Sequence, residues 1–595
     1  MTDNPDTISR SWLIKQVKNH KAKLIGANLI ALLATVISVP IPLMMPLMVD
    51  EVLLDKPSTG VAWMNTLLPY SWHTGAHYIG LMLLLIISMR AISQLLNIIQ
   101  NRQFTRVSKT ITYHIREKII DKLGRISLRQ YESQGSGTIN AYLVTDIDTI
   151  DQFIGTTLSK FVISVMTVLG TAIVLLWIDW RLGLFILLVN PCVLYFSQRL
   201  GRKVKHLKKR ENQSISRFQH RLIDTLEGIY QLRAANREHA FLQQLKEHAN
   251  QVRLSADKYA WQSEAAGRLS FLLFLVGFEL FRAAAMLMVL FSDLSIGEIF
   301  AVFGYLWFML TPVQELLSLQ VSWYSAKAAM QRINTLLHLE EEPRLQSQVN
   351  PFLSQQNVEV TVEQIHFGYH ADHPVLNGLS LQIPAGETVA LVGTSGSGKS
   401  TLIQLLIGAY SPTAGEIRFN GETTEAISFD VIRDYIAVVL QQPILFNDTL
   451  RENLTLGKTY PDHALWQALE VAQLQDVTRQ LSAGLDTPIG NHGVRLSGGQ
   501  RQRLAIARMV LSAPQFVILD EATSALDTAT EAALHHALSN FLVGRTTLIV
   551  AHRLSAIKQA DRIYVLDQGQ VCQMGTHEEL IAQAGLYRTL YGNDD

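Results

Sequence analysis

The sequence predicts an α-helical membrane domain of six transmembrane helices with long cytoplasmic extensions, followed by an α/β domain of the phosphate-loop (P-loop) type. Three observations carry that expectation. Long apolar stretches broken by basic clusters fill the chain up to about Leu339. Beyond about Val358 the composition becomes that of a soluble α/β protein. Within that second part a glycine-rich loop directly follows the short apolar run Thr388–Val392. The expected organisation is therefore a transmembrane domain over 1–339, a linker over 340–357 and a nucleotide-binding domain over 358–595.

Composition agrees with this division. Hydrophobic residues make up 48% of the 595 and charged residues 17%, against about 25% charged in an ordinary soluble domain. The 51 basic and 51 acidic residues cancel, so no basic excess suggests nucleic acid as a partner. Cys192 and Cys572 fall in different halves. They have neither metal-ligand nor disulfide-framework spacing and read as packing residues.

A bilayer core needs about 20 mostly apolar helical residues. Six stretches supply them: Leu24–Val49, Ala76–Ile99, Phe153–Ile178, Leu182–Leu200, Leu269–Phe291 and Gly297–Leu319. Pro40, Pro42 and Pro46 predict that the first unwinds near its outer end, because proline cannot donate to a helix. Before the first span, Trp12, Leu13, Ile14 and Val17 interleave with lysines and read as an amphipathic helix on the membrane surface. Positive charge concentrates at Lys15–Lys23, Arg102–Lys118 and Arg199–Arg210, while the alternate loops are nearly bare of it. Both termini are therefore expected in the cytoplasm. The segments 101–152 and 201–267 keep helical periodicity, so the helices are expected to continue past the bilayer, with turns near Tyr131–Gly137 and Glu227–Ile229. Charges inside spans are candidate cavity residues. Glu279 and Arg282 stand three apart, a spacing that allows mutual neutralisation as well as a substrate contact. Arg90 and Glu315 have no evident sequence partner and are candidates for a wet cavity.

In the second half, Gly393-Thr394-Ser395-Gly396-Ser397-Gly398-Lys399-Ser400-Thr401 follows its strand and precedes a helix, the strand–loop–helix context of a P-loop. Its backbone N–H groups would cradle ATP phosphates. Lys399 would reach the β- and γ-phosphates, and the Ser400 hydroxyl would bind Mg²⁺. Phe516–Leu519 is a second apolar strand, ending in Asp520 and Glu521. Phosphoryl transfer to water needs a metal-holding carboxylate and a group that activates water, roles that Asp520 and Glu521 fit.

Leu496-Ser497-Gly498-Gly499-Gln500 is the motif on which the chain resembles the ABC transporter superfamily, and the six-span half resembles the exporter-type layout of that superfamily. The resemblance implies further roles. Tyr369 would stack on adenine. Gln441, next to Gln442, would sense Mg²⁺ and the attacking water. Asp527 would link two ATP sites, and His552 would contact the γ-phosphate. Ser497, Gly499 and Gln500 would complete the phosphate site of an opposite nucleotide domain. Asn491 stands where exporters of this type often carry Glu. With one nucleotide domain per chain and every hydrolytic motif intact, the resemblance implies a homodimer that moves cargo by alternating access, with a heterodimer as the alternative.

The spans argue against a soluble ATPase of the same superfamily. The absence of a large insertion between the halves argues against a regulated channel or receptor. Import of a metal chelate is the rival to export. Few charges in apolar walls favour an amphipathic or hydrophobic cargo, such as a lipid, drug or peptide, and no peptidase-like stretch precedes the first span. The expected location is a bacterial inner membrane, among its lipids.

Overall fold

The computed structural model describes residues 8, 10–291, 295–342, 349–353, 357–370, 373–490, 493, 495–522, 528–550 and 554–592. The chain divides into two compact units, Met1–Gly124 with Ser136–Leu339, and Arg125–Gly135 with Glu340–Asp595. The short segment Arg125–Gly135, which lies in sequence between two membrane-half helices, thus packs with the second unit.

The first unit is helical. Its main helices are α1 (Arg10–Asn19), α2 (Lys21–Ser38), α3 (Gly75–Leu123), the unit's share of α4 (Leu128–Ala141), α5 (Leu158–Ile178), α6 (Trp180–Glu227), α7 (Glu238–Phe291) and α8 (Ile296–Leu337). The 49 residues of α3 run roughly 75 Å at 1.5 Å per residue, more than twice a bilayer core. The predicted extensions are therefore continuous helix. Among the described residues, four helical stretches are long and apolar enough to cross a membrane: Lys21–Leu53, Gly75–Leu123, Gly137–Ile178 and Ile296–Leu316. The predicted spans Leu182–Leu200 and Leu269–Phe291 lie within α6 and α7.

The prolines act as expected. Helix α2 stops at Ser38, and the chain continues as a 3₁₀ turn at Ile41–Leu43, one turn at Met44–Pro46 and a π-helical stretch at Leu47–Leu53. Unwinding in an apolar setting leaves backbone groups that need other partners. The fully buried Tyr305 supplies one, its hydroxyl donating to the Val39 carbonyl at 2.6 Å. Beyond it, Asp50 instead serves the start of α8, taking hydrogen bonds from Ser295 Oγ at 2.5 Å and the Gly297 N–H at 3.0 Å. The turns also fall where sequence placed them. Gly135 breaks α4 with φ 71°, and α6 ends at Glu227 before the short helix Ile229–Ala234.

Ile111, Ile115 and Ile119 recur every four residues on α3 and form one buried stripe with Ile147, Ile150, Ala329 and Ile333. Trp12 packs against this core, with Lys118 Nζ 5.9 Å from its ring centroid. Trp12 of α1 is thus engaged with protein on one side. Beside the stripe, the buried Asp146 carboxylate accepts two hydrogen bonds from Arg332, at 3.0 and 2.5 Å.

The second unit carries two sheets. The antiparallel one has strand order β2-β1-β4-β5, with β1 Val360–Phe367, β2 Leu376–Ile383, β4 Ala414–Phe419 and β5 Glu422–Thr423. The larger has order β10-β9-β3-β8-β7-β6, with β3 Thr388–Gly393, β6 Ile436–Val439, β7 Phe516–Asp520, β8 Thr546–Val550, β9 Arg562–Asp567 and β10 Gln570–Gly575. Strands β9, β3, β8, β7 and β6 run parallel. Their burial on both faces explains why β3 and β7 read as unbroken apolar runs. Helix α9 (Lys399–Leu406) follows β3 and α10 (Gly498–Ser512) precedes β7.

Candidate active site

In a parallel sheet, ligands bind beyond the carboxyl ends of the strands. Here Leu391 of β3 and Asp520 of β7 both pair with Val550 of β8. The glycine-rich loop and the two carboxylates therefore leave the same sheet edge with one strand between them, roughly 10 Å apart along the ladder.

Three glycines shape the loop. Gly393, Gly396 and Gly398 have φ of 150°, 81° and 102°, values that side-chain-bearing residues rarely adopt. A Cβ on Gly393 would lie 2.1 Å from the Leu566 carbonyl oxygen, and one on Gly398 would lie 2.5 Å from Leu376 Cδ2. The cradle exists only with glycine there. Ser397 is buried inside it, Ser395 is exposed, and Thr394 Oγ1 approaches Asp567 at 3.5 Å. Lys399, 7% exposed, arches over the loop and donates to the Gly393 and Thr394 carbonyls, each at 2.9 Å. Burial pushes its pKa down, while Glu521 and Asp520 pull it up. A buried ammonium held by neutral carbonyls, with acidic groups nearby, is poised for an anionic ligand. Ser400, the second residue of α9, is exposed, and Thr401 is buried one residue on.

Glu521 carries backbone strain, φ 48°, of the kind that concentrates at functional sites. Its N–H donates to Val550 O at 2.9 Å. Its carboxylate accepts a hydrogen bond from Gln441 Nε2 at 2.6 Å. It is Gln441, and not the adjacent Gln442, whose side chain meets the carboxylate, and Gln502 Nε2 steadies the Gln441 carbonyl at 3.3 Å. Tyr369 is 39% exposed, with its hydroxyl donating to Gln404 Oε1 at 2.6 Å and 3.2 Å from Thr401 Oγ1. The hydroxyl end of its ring thus stands beside the P-loop helix.

Ser497 and Gln500 form a capping box at the start of α10. Ser497 Oγ accepts the Gln500 N–H, and Gln500 Oε1 accepts the Ser497 N–H at 2.8 Å. Gln500, singled out as a phosphate-site residue, is held as a cap within its own chain. The spacing Ser497-x-x-Gln500 already signalled that cap. The N–H groups of Gly498 and Gly499 fall in the first turn of the 15-residue helix, where the helix dipole favours an anion. Asp527, His552 and Asn491 lie outside the described residues.

In the helical unit the intramembrane charges sort into two kinds. Glu279 and Arg282 form an ion pair with each other, and Glu315, which lacked an evident sequence partner, meets Lys160 at 2.9 Å. Arg90 instead lines a cavity of about 660 Å³ together with Thr35, Ser38, Gln94, Asn97 and Trp307. The Asn97 Oδ1 atom is buried there without a hydrogen-bond partner.

A P-loop and a strand-end carboxylate pair on one sheet edge, joined in one chain to helices long enough to cross a membrane, define an integral membrane protein with a nucleotide-hydrolysing half. The ABC transporter transmembrane region matches residues 24–313 and the ABC transporter model matches 376–524. The chain is 36% identical to an uncharacterized ABC transporter ATP-binding protein, YwjA, of Bacillus subtilis, over 80% of this chain and 83% of that one. It is 33% identical to an ATP-dependent lipid A-core flippase of Saccharophagus degradans, over 82% and 83%. A bacterial Atm1-family ABC exporter solved with ATP bound superposes with a TM-score of 0.81 at 26% identity, covering 96% of this chain and 98% of the other. The chain belongs to the ABC transporter family, as an exporter-type half-transporter that binds ATP and couples it to transport.

Proposed function

We propose that this protein exports an amphipathic lipid across the bacterial inner membrane, as a homodimer with both termini in the cytoplasm. The hydrolytic reading rests on one observation, the Gln441–Glu521 hydrogen bond on the sheet edge that also carries the P-loop. In this reading Glu521 takes a proton from the attacking water, and Gln441 holds that carboxylate in place. Lys399 exchanges its two carbonyl partners for phosphate oxygens, and Tyr369 stacks on adenine. Ser400 and Asp520 offer the hard oxygen donors that suit Mg²⁺, whose role when bound is to neutralise phosphate charge. The first turn of α10, presented by a second copy, would close each site, so a dimer has two.

The lipid reading rests on the cavity and the relatives. Relatives of 31–33% identity over more than four fifths of this chain are named lipid A-core flippases. Arg90 is the charged residue among those lining the 660 Å³ cavity, with Trp307, Phe308 and Ile86 as apolar walls. One cation beside apolar walls suits a lipid with an anionic head group.

Reconstituted vesicles carrying a head-group-labelled lipid test this directly. ATP should move an anionic lipid between leaflets faster than a zwitterionic one of the same chains, and Arg90→Ala should cut that preference about tenfold or more, as expected for a lost charge-assisted contact. ATP-independent movement, or equal rates for both lipids in the wild type, would contradict the reading.

A further inference from the structure

The second unit contains a ring cluster that the nucleotide site does not account for. Tyr410, 9% exposed, lies edge-on to Tyr369, with ring centroids 5.4 Å apart and planes at 89°. It also meets Phe367 edge-on at 5.5 Å, and Phe367 meets Tyr369 at 5.2 Å. Edge-to-face rings at these separations attract and resist independent rotation. At the other end of Tyr410, its hydroxyl donates to the Glu132 carboxylate.

Glu132 belongs to Arg125–Gly135, the segment that packs in the second unit although both its ends continue into helices of the first. The segment is pinned at its entry. Ser127 N–H donates to Glu340 O at 3.0 Å, Glu342 N–H donates to Arg125 O at 2.8 Å, and Ile126 bridges Glu341 as an antiparallel pair. Gly135, with φ 71° and open space about its Cβ position, ends it. Between these points Glu132 is the residue tied to the nucleotide side through Tyr410. Burial, and then the Glu132 hydrogen bond, push the Tyr410 phenol up to about 12. It therefore stays a proton donor throughout the physiological range.

We propose that Tyr410 is a positioning residue that reports adenine occupancy of Tyr369 to Glu132, so that the Arg125–Gly135 segment distinguishes ATP from a triphosphate without a base. This rests on the reading of Tyr369 as the adenine platform. A base stacked on the open face of Tyr369 fixes that ring, and the ring fixes Tyr410 edge-on against it. The Tyr410 hydroxyl is then held on the carboxylate, and Glu132 orders the segment. Linkage makes the effect reciprocal: an ordered segment favours the base by the same factor. Phosphate contacts alone, made by the P-loop, bypass this route.

The test uses the full chain in lipid nanodiscs, with Glu521→Gln throughout to hold the ligand unhydrolysed. Amide hydrogen exchange over 125–135 is read with saturating ATP and with inorganic tripolyphosphate. ATP should slow exchange there at least several-fold more than tripolyphosphate. Adding Tyr410→Phe, which keeps the ring and removes the hydroxyl, should erase that difference while ATP affinity falls by no more than the same factor, and Glu132→Ala should do the same. Unaltered exchange in β3 and β7 confirms that the variants fold. Equal protection by the two ligands, or a difference that survives Tyr410→Phe, would overturn the relay alone. Failure of ATP to bind the parent would overturn the nucleotide-site reading and the relay with it.

Discussion

The two units answer to different constraints, and the contrast between the P-loop edge and the intramembrane charges shows it. At the P-loop, a fixed ligand chemistry dictates the residue types and their spacing. Gly393 to Ser400 are contiguous in sequence and contiguous in space, and a Cβ at Gly393 would strike backbone. In the helical unit, charge must be neutralised or wetted, but nothing fixes which residue does it. Glu315 finds Lys160 from 155 positions away and Asp146 finds Arg332 from 186 away. A local pair such as Glu279 with Arg282 could be paired from spacing.

The contrast is sharpest where it can be broken. Gly393→Ala should have the largest effect. The new methyl group meets a carbonyl oxygen and cannot relax, so ATP affinity should fall more than about 100-fold in an equilibrium titration, by strain of about 3 kcal/mol. In the helical unit, Arg332→Ala leaves the buried Asp146 carboxylate unpaired. Because Arg332 is itself half exposed, the cost should be about 2–3 kcal/mol, below the full cost of breaking a buried pair. Denaturant unfolding in detergent would read this, and Asp146→Asn with Arg332→Ala should recover part of it. Retained stability in Arg332→Ala would show that the helical unit tolerates an orphan charge and would blunt the comparison.

The smallest effect concerns protons. The Lys399 pKa is lowered in the free protein by burial, and bound phosphate supplies the counter-charge that raises it again. At alkaline pH, where the lowered group has begun to lose its proton in the free protein, ATP binding should therefore take up a fraction of a proton, and this uptake should fade as the pH falls and the free group becomes fully protonated. Calorimetry in two buffers of different ionisation enthalpy measures it. Release of protons at the higher pH would contradict the assigned direction.

Much of the fold was legible for physical reasons that particular residues illustrate. Pro40, Pro42 and Pro46 cannot continue a helix, and α2 stops at Ser38. Gly135, at φ 71°, breaks α4, and α6 ends at Glu227 just before Gly228, where the sequence marked turns. The approach of Asp520 to the P-loop could be inferred from strand ends, although the intervening β8 could not be placed without the register. What stayed hidden depends on packing across distance. No local pattern singles out Tyr410, in Gly408-Ala409-Tyr410-Ser411-Pro412, as the partner of both Tyr369 and Glu132. Likewise the apolar pattern of α1 does not show that Trp12 packs against the core around Ile111–Ile119.

The central claim is that Glu521, held by Gln441, is the group that drives ATP hydrolysis for transport. It is tested most directly by measuring ATP binding and turnover together in nanodiscs for the wild type and Glu521→Gln. The account predicts that the variant binds ATP with an affinity within a few-fold of wild type while turnover falls by about 10²–10⁴-fold, the range associated with a positioned general base. Turnover in Glu521→Gln close to that of wild type, with binding intact, would contradict it.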